Sequence, residues 1–447
     1  MSKMNRRQFM SSAVAAAGAV TIVPPHILGK TAKRDAPSDT LNFAKVGCGG
    51  MGGGDFGQVV RAGARPVALC DVDSNRGGGV LRNKACKGLT LFSDFRKMFD
   101  KHGKDFDAVV VSTPDHMHAP VSLKAMAMGK HVYCQKPLAR TVRECYQMRD
   151  AAKKYGVITQ MGNQGHSGGG LESTIECVKA GVIGTVKEVH VWTDRAGRWW
   201  PQGEKVFLPK AGAKAPDNVD WDCFLGVAPK TPYSGAIHPF KWRGYLDFGC
   251  GAIGDMACHN MDPAFMALDL GEPTSVKTTC SEFNKVSFPK WSVVEWEFPV
   301  VGDRPAIKVY WYDGGKKPEK PSSMPKGMRF GGNGCMFLGD KGGMLGGSHA
   351  GFCNPFDKDY KRPARTLPRS EGHYKEWVMA CKGQKINRGT TGSNFGYAGR
   401  MTATIGLGVV GMYFPGEKLE WNGEKLEFKK AAANEYLHRA YREEFKL

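Results

Sequence analysis

The stretch from residue 41 to residue 60, "LNFAKVGCGGMGGGDFGQVV", decides the reading of the chain. A short apolar run, Leu41 to Val46, enters a glycine-rich turn, and a helical pattern follows. Gly47, Gly49 and Gly52 stand in the spacing G-x-G-x-x-G, with Gly50 and Met51 completing the turn. Between a strand and a helix, the first glycine permits a tight turn and the second lets a pyrophosphate approach the backbone. The third lets helix and strand pack closely, and the helix N-terminus faces the phosphate charge. Glycine is common here, at 58 of 447 residues, so the spacing alone carries little weight. The next strand pattern, "RPVALCDVD", adds weight because it ends in Asp71, which 71 − 52 places 19 residues beyond the last glycine. An acid there meets the adenosine ribose hydroxyls. The pattern points to a bound dinucleotide. Asp71 would repel a 2′-phosphate, which favours NAD over NADP, while Arg76 close by pulls the other way.

Outward from this turn, strands and helices alternate. "FDAVVVSTPDHMH" holds a near-continuous apolar run, Ala108 to Val111, as a strand buried on both faces should. "APVSLKAMAMG" has helical spacing, "KHVYCQKPLA" reads as a further strand, and "TVRECYQMRDAAKKYG" opens with Thr141 and Glu144 in a capping box and closes at Gly156. The fold class is α/β, with an N-terminal doubly wound parallel (Rossmann) sheet over residues 41–159. From about Val157 the pattern changes to β-rich stretches such as "WSVVEWEFPV" and "AIKVYWYDG". These predict a C-terminal α+β domain over 160–447, with a large, open, mainly antiparallel sheet covered by helices on one face. Pro201 to Pro239 reads as a long ordered loop, and "NFGYAGRMTATIGLGVVGMYF" as a helix.

Three groups of residues could carry chemistry. Lys136 precedes Pro137 at the end of an apolar strand, which aims its amine off the sheet edge where ligands bind; an ordinary surface lysine is the plain alternative. In "GCGAIGDMACHNMD", Asp255 and His259 are four apart and share a helical face, with Asp262 continuing it. A carboxylate beside an imidazole fixes its tautomer and raises its basicity, as an acid–base histidine needs. A core histidine and a metal site compete with this reading, although a metal would lack a clear further ligand. The third group is polar residues at strand ends. Thr113, His116 and His118, with Pro114 between them, would line the cofactor side, Asp115 belongs to the same strand end, and Asn163 and Gln164 would line the substrate side. Aromatic and basic residues in "RWWPQG" and "HPFKWRG", chiefly Trp199, His238, Trp242 and Arg243, would line a sugar pocket, though any single Trp is as well explained by packing.

At the N-terminus, "NRRQF" followed by "MSSAVAAAGAVTIV" has the pattern of a twin-arginine export signal, which carries folded proteins, with residues 1–40 as leader and linker. A retained amphipathic anchor is the alternative. No later stretch is long and apolar enough to be a transmembrane segment. The formal charge is +20, but the basic residues are scattered and no nucleic-acid-reading motif accompanies them. That leaves a solvated basic surface or an anionic sugar substrate. Thirteen cysteines without a CxxC pair read as free thiols of a protein folded in a reducing compartment.

Taken together, "KVGCGGMG", "VVVSTPDHMHA", "GKHVYCQKPLA" and "GCGAIGDMACHNMD" resemble, in order and spacing, the glucose–fructose oxidoreductase, inositol dehydrogenase and MocA (Gfo/Idh/MocA) family, and most of all its exported branch. The resemblance implies a Rossmann domain, an open-sheet substrate domain and NAD. It matches Lys136 to the lysine of the family's E-K-P motif, and Asp255 with His259 to its D-x-x-x-H pair; both support hydride and proton transfer at a sugar hydroxyl. Gln135 departs from that pattern, standing where many members have Glu; on the cofactor side its amide keeps an acceptor for a nicotinamide-ribose hydroxyl but loses the charge. The expectation is an NAD-dependent oxidoreductase of a carbohydrate, exported with its cofactor tightly held. Two alternatives stand beside it: a redox-neutral glycosidase or lyase acting through a transient keto-sugar, and a non-catalytic carbohydrate-binding protein. The resemblance also suggests a homo-oligomer built through the C-terminal sheet.

Overall fold

The computed structural model describes residues 39–446 apart from residue 212. The arginine pair and the apolar run expected to form a leader lie outside the described residues. Six parallel strands make the first sheet: β1 (Asn42–Val46), β2 (Arg65–Cys70), β3 (Leu91–Phe92), β4 (Ala108–Val111), β5 (His131–Gln135) and β6 (Thr159–Gly162). Their order is β3-β2-β1-β4-β5-β6. Strand β4 reads AVVV with every side chain buried, as helices on both faces require. The order reverses between β1 and β4, so the carboxyl ends of these strands open a crevice.

Helix Val142–Tyr155 carries the expected capping box. The Glu144 amide donates to Thr141 Oγ1 (3.2 Å), the Thr141 amide donates to Glu144 Oε2 (2.9 Å), and left-handed Gly156 ends the helix. Two features depart from the expected domain boundary at residue 159. Strand β6 extends the parallel sheet to Gly162, and some of that sheet's cover comes from the far end of the chain. Helix His373–Cys381 lays Trp377 and Val378 in the same cluster as Phe43, Val110 and Tyr133. Buried aromatics on β1 and β5 need an apolar lid, and nothing requires that lid to be local in sequence.

The second sheet has nine strands: β7 (Val186–Trp192), β8 (Ser275–Cys280), β9 (Ser292–Phe298), β10 (Ile307–Tyr312), β11 (Gly334–Gly339), β12 (Gly342–Gly346), β13 (Cys353–Pro355), β14 (Lys418–Asn422) and β15 (Glu427–Phe428). They run in the order β13-β12-β11-β7-β10-β9-β8-β14-β15, antiparallel except between β7 and β10. Burial alternates along β9, with Val294, Trp296 and Phe298 inward and Val293, Glu295 and Glu297 outward. One face is therefore core. The other is polar, with Lys308 paired to Glu295 (2.8 Å) and His190 stacked on Tyr310 (5.0 Å between ring centroids). Helix Phe395–Gly411 seals the inner face, and its Thr404 carbonyl accepts from Trp296 Nε1 (2.9 Å).

Residues 201–239 carry one short helix, Trp221–Leu225, among their described members. All thirteen cysteines are free thiols. Among the described residues no helix is long and apolar enough to cross a membrane. Because Trp377 is fully buried against the first sheet, Trp377→Ala should cost about 3–5 kcal/mol. Urea unfolding followed by circular dichroism would read this as a lower midpoint.

Candidate active site

The glycine turn is shaped by close backbone approach. At Gly47 (φ +80°) a Cβ would lie 2.5 Å from the Ser112 carbonyl oxygen, and at Gly52 it would lie 2.2 Å from the Gly47 oxygen. Gly52 thus packs helix Met51–Arg61 onto the turn, while Gly47, Gly49, Gly50 and Met51 line a cleft of about 520 Å³, a size suited to cofactors and small ligands. Asp71, at the end of β2, also lines it. Its Oδ2 accepts from the amides of Cys48 (2.6 Å) and Gly49 (3.2 Å), and its Oδ1 from Asp73 (2.9 Å). Burial pushes the Asp71 pKa up, and these amide donors oppose the shift. An acid built into the turn fits an adenosine ribose. Arg76, the residue favouring NADP, reaches over Gly49 but pairs with Asp73 (3.5 Å).

At the other end of the cleft, three cations surround one carboxylate. Lys136 Nζ donates to Asp255 Oδ1 (2.6 Å) and to its backbone carbonyl (3.0 Å). Arg195 Nη1 donates to Asp255 Oδ2 (2.7 Å), and Arg243 Nε lies 3.8 Å from Oδ1. Burial alone would raise the Asp255 pKa, but Lys136, Arg243 and Arg195 together outweigh it and hold the carboxyl well below its usual range. Asp115, buried nearby, is pushed up to about 7 by desolvation, with Arg243 and Lys136 pulling the other way.

His259 sits one turn beyond Asp255 on helix Gly251–Asn260 and lines the cleft. The expected carboxylate–imidazole bond does not form. Both Asp255 oxygens are taken by cations, and His259 Nδ1 is buried without a hydrogen-bond partner. Burial first, then Lys136 and His349, drive the His259 pKa well down despite Asp255, so the imidazole is neutral. The His349 ring lies 4.3 Å from it, centroid to centroid.

Asp262 does not continue the Asp255–His259 face. The helix ends at Asn260 and a new one begins at Asp262 with Pro263 in its first turn, where proline's missing N–H is harmless. Asp262 instead joins a separate buried cluster, accepting from Asn163 Nδ2 (3.2 Å) and facing His166 Nδ1 (3.0 Å). Asn163 is thus withdrawn from the cleft. His116 is withdrawn too: its ring nitrogens face the carbonyls of Phe248 (3.2 Å) and Phe224 (2.9 Å), which makes it a clamp between segments. His118, with its ring nitrogens on the Pro137 (2.7 Å) and Thr113 (3.0 Å) carbonyls, still lines the cleft, as do Thr113, Pro114, Gln135 and Gln164. His238 faces Asp73 (3.6 Å), on the Asp71 side of the cleft and not with the cations. Trp199 is 50% exposed at the cleft with the Arg195 guanidinium over its ring (4.3 Å), and buried Trp242 carries Arg243 (4.1 Å). Among the described residues, no three His, Cys, Asp or Glu side chains cluster as a metal site.

Sequence reading missed Arg195 and His349. Arg195 follows β7 in "WTDR", where a charged residue after a strand is a usable signal; no local pattern marks His349.

Comparison with known proteins agrees with this architecture. Residues 41–163 match a family model described as an oxidoreductase family, NAD-binding Rossmann fold, and residues 172–301 match that of an oxidoreductase family, C-terminal alpha/beta domain. A 2,7-anhydro-N-acetylneuraminate hydratase of Escherichia coli (strain K12) is 26% identical over 199 residues, 43% of this chain and 51% of that protein. An inositol 2-dehydrogenase of Salmonella typhimurium is 27% identical over 154 residues, 34% of this chain and 45% of that protein. The chain thus spans about half the length of these curated relatives. The structure of the WlbA dehydrogenase from Bordetella pertussis, in complex with NADH and UDP-GlcNAcA, superposes with a TM-score of 0.59 at 17% identity, covering 86% of this chain and 98% of that one. At that identity the likeness is one of fold.

Removing one partner of a buried charge cluster leaves the others uncompensated, which costs about 3–5 kcal/mol. Asp255→Asn should show that loss at neutral pH in urea unfolding. Because the folded pKa of Asp255 is depressed, its contribution is present above the ordinary carboxylate value of about 3.9. The gap between variant and parent should hold above that pH and close as pH falls through the depressed value.

Proposed function

The chain belongs to the Gfo/Idh/MocA oxidoreductase family, and from that membership we propose that it oxidises a hydroxyl of a sugar or sugar derivative, with NAD held tightly and recycled on the protein. The observation that carries this reading is the meeting of Lys136, Asp255 and His259 at one end of a cleft whose other end is the glycine turn and Asp71. NAD, when bound, supplies the acceptor for the hydride leaving the hydroxyl-bearing carbon. The chain's own residues handle the proton and the charge. His259, neutral because it is buried among cations, offers an unprotonated ring nitrogen to the hydroxyl proton, and an anionic substrate beside Lys136 would offset the charge that proton brings. Lys136 stabilises the developing alkoxide, and Asp255 holds Lys136 and Arg195 in place for it.

Lys136, Arg195 and Arg243 carry more charge than Asp255 neutralises, which favours a substrate bearing a carboxylate. Acidic sugars appear in the names of the Escherichia coli hydratase and in the WlbA complex. Trp199 offers an exposed ring on which a sugar face can stack.

A second reading is redox-neutral: transient oxidation acidifies a neighbouring C–H, and elimination or hydration follows. The second imidazole, His349 beside His259, favours it by supplying a further acid–base group, as does likeness to a hydratase. A non-catalytic sugar binder would have no use for the Lys136–Asp255–His259 arrangement. Export through the arginine-pair leader fits tight cofactor retention, since a dissociated nucleotide would have no soluble pool to exchange with outside the cytoplasm. Self-association through the outer face of the nine-stranded sheet completes the proposal.

Protein purified from the exported fraction, denatured and assayed for released NAD(H), should yield close to one nucleotide per chain. An empty protein that binds NAD weakly would overturn the retained-cofactor reading. Lys136→Ala should lose roughly 10²–10⁴-fold in turnover at saturating sugar; unchanged turnover would remove Lys136 from the chemistry.

A further inference from the structure

Beneath the cleft lies a second buried carboxylate that none of the chemistry above uses. Asp55, on helix Met51–Arg61, has no exposed surface. Its Oδ1 accepts from Tyr374 OH (2.7 Å) and Gln135 Nε2 (2.9 Å), and its Oδ2 from Ser112 Oγ (2.6 Å) and again Gln135 Nε2 (3.0 Å). Buried Lys45 donates to the same Ser112 hydroxyl (2.6 Å), so a lysine and an aspartate share one serine as their link.

This arrangement fixes the polarity of Gln135. An amide can present either its oxygen or its nitrogen to a neighbour. Facing an acceptor-only carboxylate, it must turn Nε2 inward, because the flipped form would set two acceptors against each other. Oε1, which accepts weakly from the Lys136 amide (3.3 Å), is then the atom left for the cleft that Gln135 lines. Space confines the amide as well: a Cβ at Gly162 would lie 2.7 Å from the Gln135 carboxamide. The side chain has one orientation, and Asp55 sets it.

Gln135 ends β5, between the glycine turn and Lys136 and across the sheet's reversal point from Asp71. A dinucleotide with its adenosine ribose at Asp71 and its pyrophosphate on the turn places its second ribose on this side. A ribose diol brings O–H donors, which need an acceptor. We propose that Asp55 is a positioning residue for the cofactor, holding Gln135 as the acceptor for the second ribose and supplying from one residue behind the negative charge that a glutamate at 135 would carry itself. The inference rests on the NAD reading of the cleft. It also accounts for glutamine at this position, since a carboxylate there would face Asp55 at hydrogen-bond distance with Lys45 as the nearby buried cation.

The test uses the full chain freed of endogenous nucleotide, with NAD⁺, ADP-ribose and ADP titrated by calorimetry against the parent, Gln135→Glu, Asp55→Asn and the reciprocal double variant. Gln135→Glu should weaken NAD⁺ and ADP-ribose about tenfold or more, roughly the loss of one good hydrogen bond, and leave ADP unchanged. The double variant, with an amide at 55 donating to a carboxylate at 135, should recover to within about threefold. Asp55→Asn alone should show the same selective loss, so that if one single variant fails to fold the other decides. Equal weakening of all three ligands would mean that Asp55 only supports the turn. Parent-like binding by Gln135→Glu, or no recovery in the double variant, would overturn the proposal. If the parent binds no NAD⁺ but does bind ADP-ribose, the cofactor reading fails at the nicotinamide and the Asp55 test still stands on ADP-ribose; if it binds neither, both fall.

Discussion

One buried carboxylate ties the two halves of this protein together at their point of contact. Asp255 comes from a helix of the second domain, Lys136 from the end of β5 in the first, and Arg195 from the segment after β7. A charge buried to this depth is tolerated only with partners and hydrogen bonds, so the domains cannot shift against each other without stranding it. The groups that would act on a substrate are thereby held at a common place. The neutral state of His259 follows from the same cluster, because burial and the cations around it disfavour a further positive charge.

Asp55 has a comparable role deeper in the first domain. It joins the helix of the glycine turn to the end of β4 through Ser112, to β5 through Gln135, and to the late helix His373–Cys381 through Tyr374. That helix also lays Trp377 over the first sheet. The dinucleotide cleft is therefore floored by residues from both ends of the chain, and its shape depends on the fold being complete. Polar groups fixed in advance in this way lose little freedom when a ligand binds.

The correct and incorrect readings of the sequence separate by range. The turn at Gly47–Gly52, the acid at Asp71, the capping box at Thr141 and Glu144 and the alternating strands rest on neighbours within a few residues or on a local strand–turn–helix unit, and these are found where expected. The bond expected between Asp255 and His259 rested on helical spacing alone. Spacing places two side chains on one face but says nothing of rivals, and Lys136 and Arg195 win the carboxylate from 119 and 60 residues away. The placement of Asn163 and His116 is decided by distant partners in the same way. Each is a polar residue at a strand end, yet each finds a buried partner on a distant segment, Asp262 for one and the Phe224 and Phe248 carbonyls for the other.

By itself, the sequence determined the fold class, the place of the dinucleotide turn and the types of residue available for chemistry, because backbone sterics and hydrophobic periodicity act between near neighbours. Only the tertiary structure decided which cations hold Asp255, that His349 stands beside His259, and that Asp55 orients Gln135. The reason is that Coulomb attraction and desolvation depend on distance in space and on burial, and neither exists until chain segments far apart in sequence have been packed together.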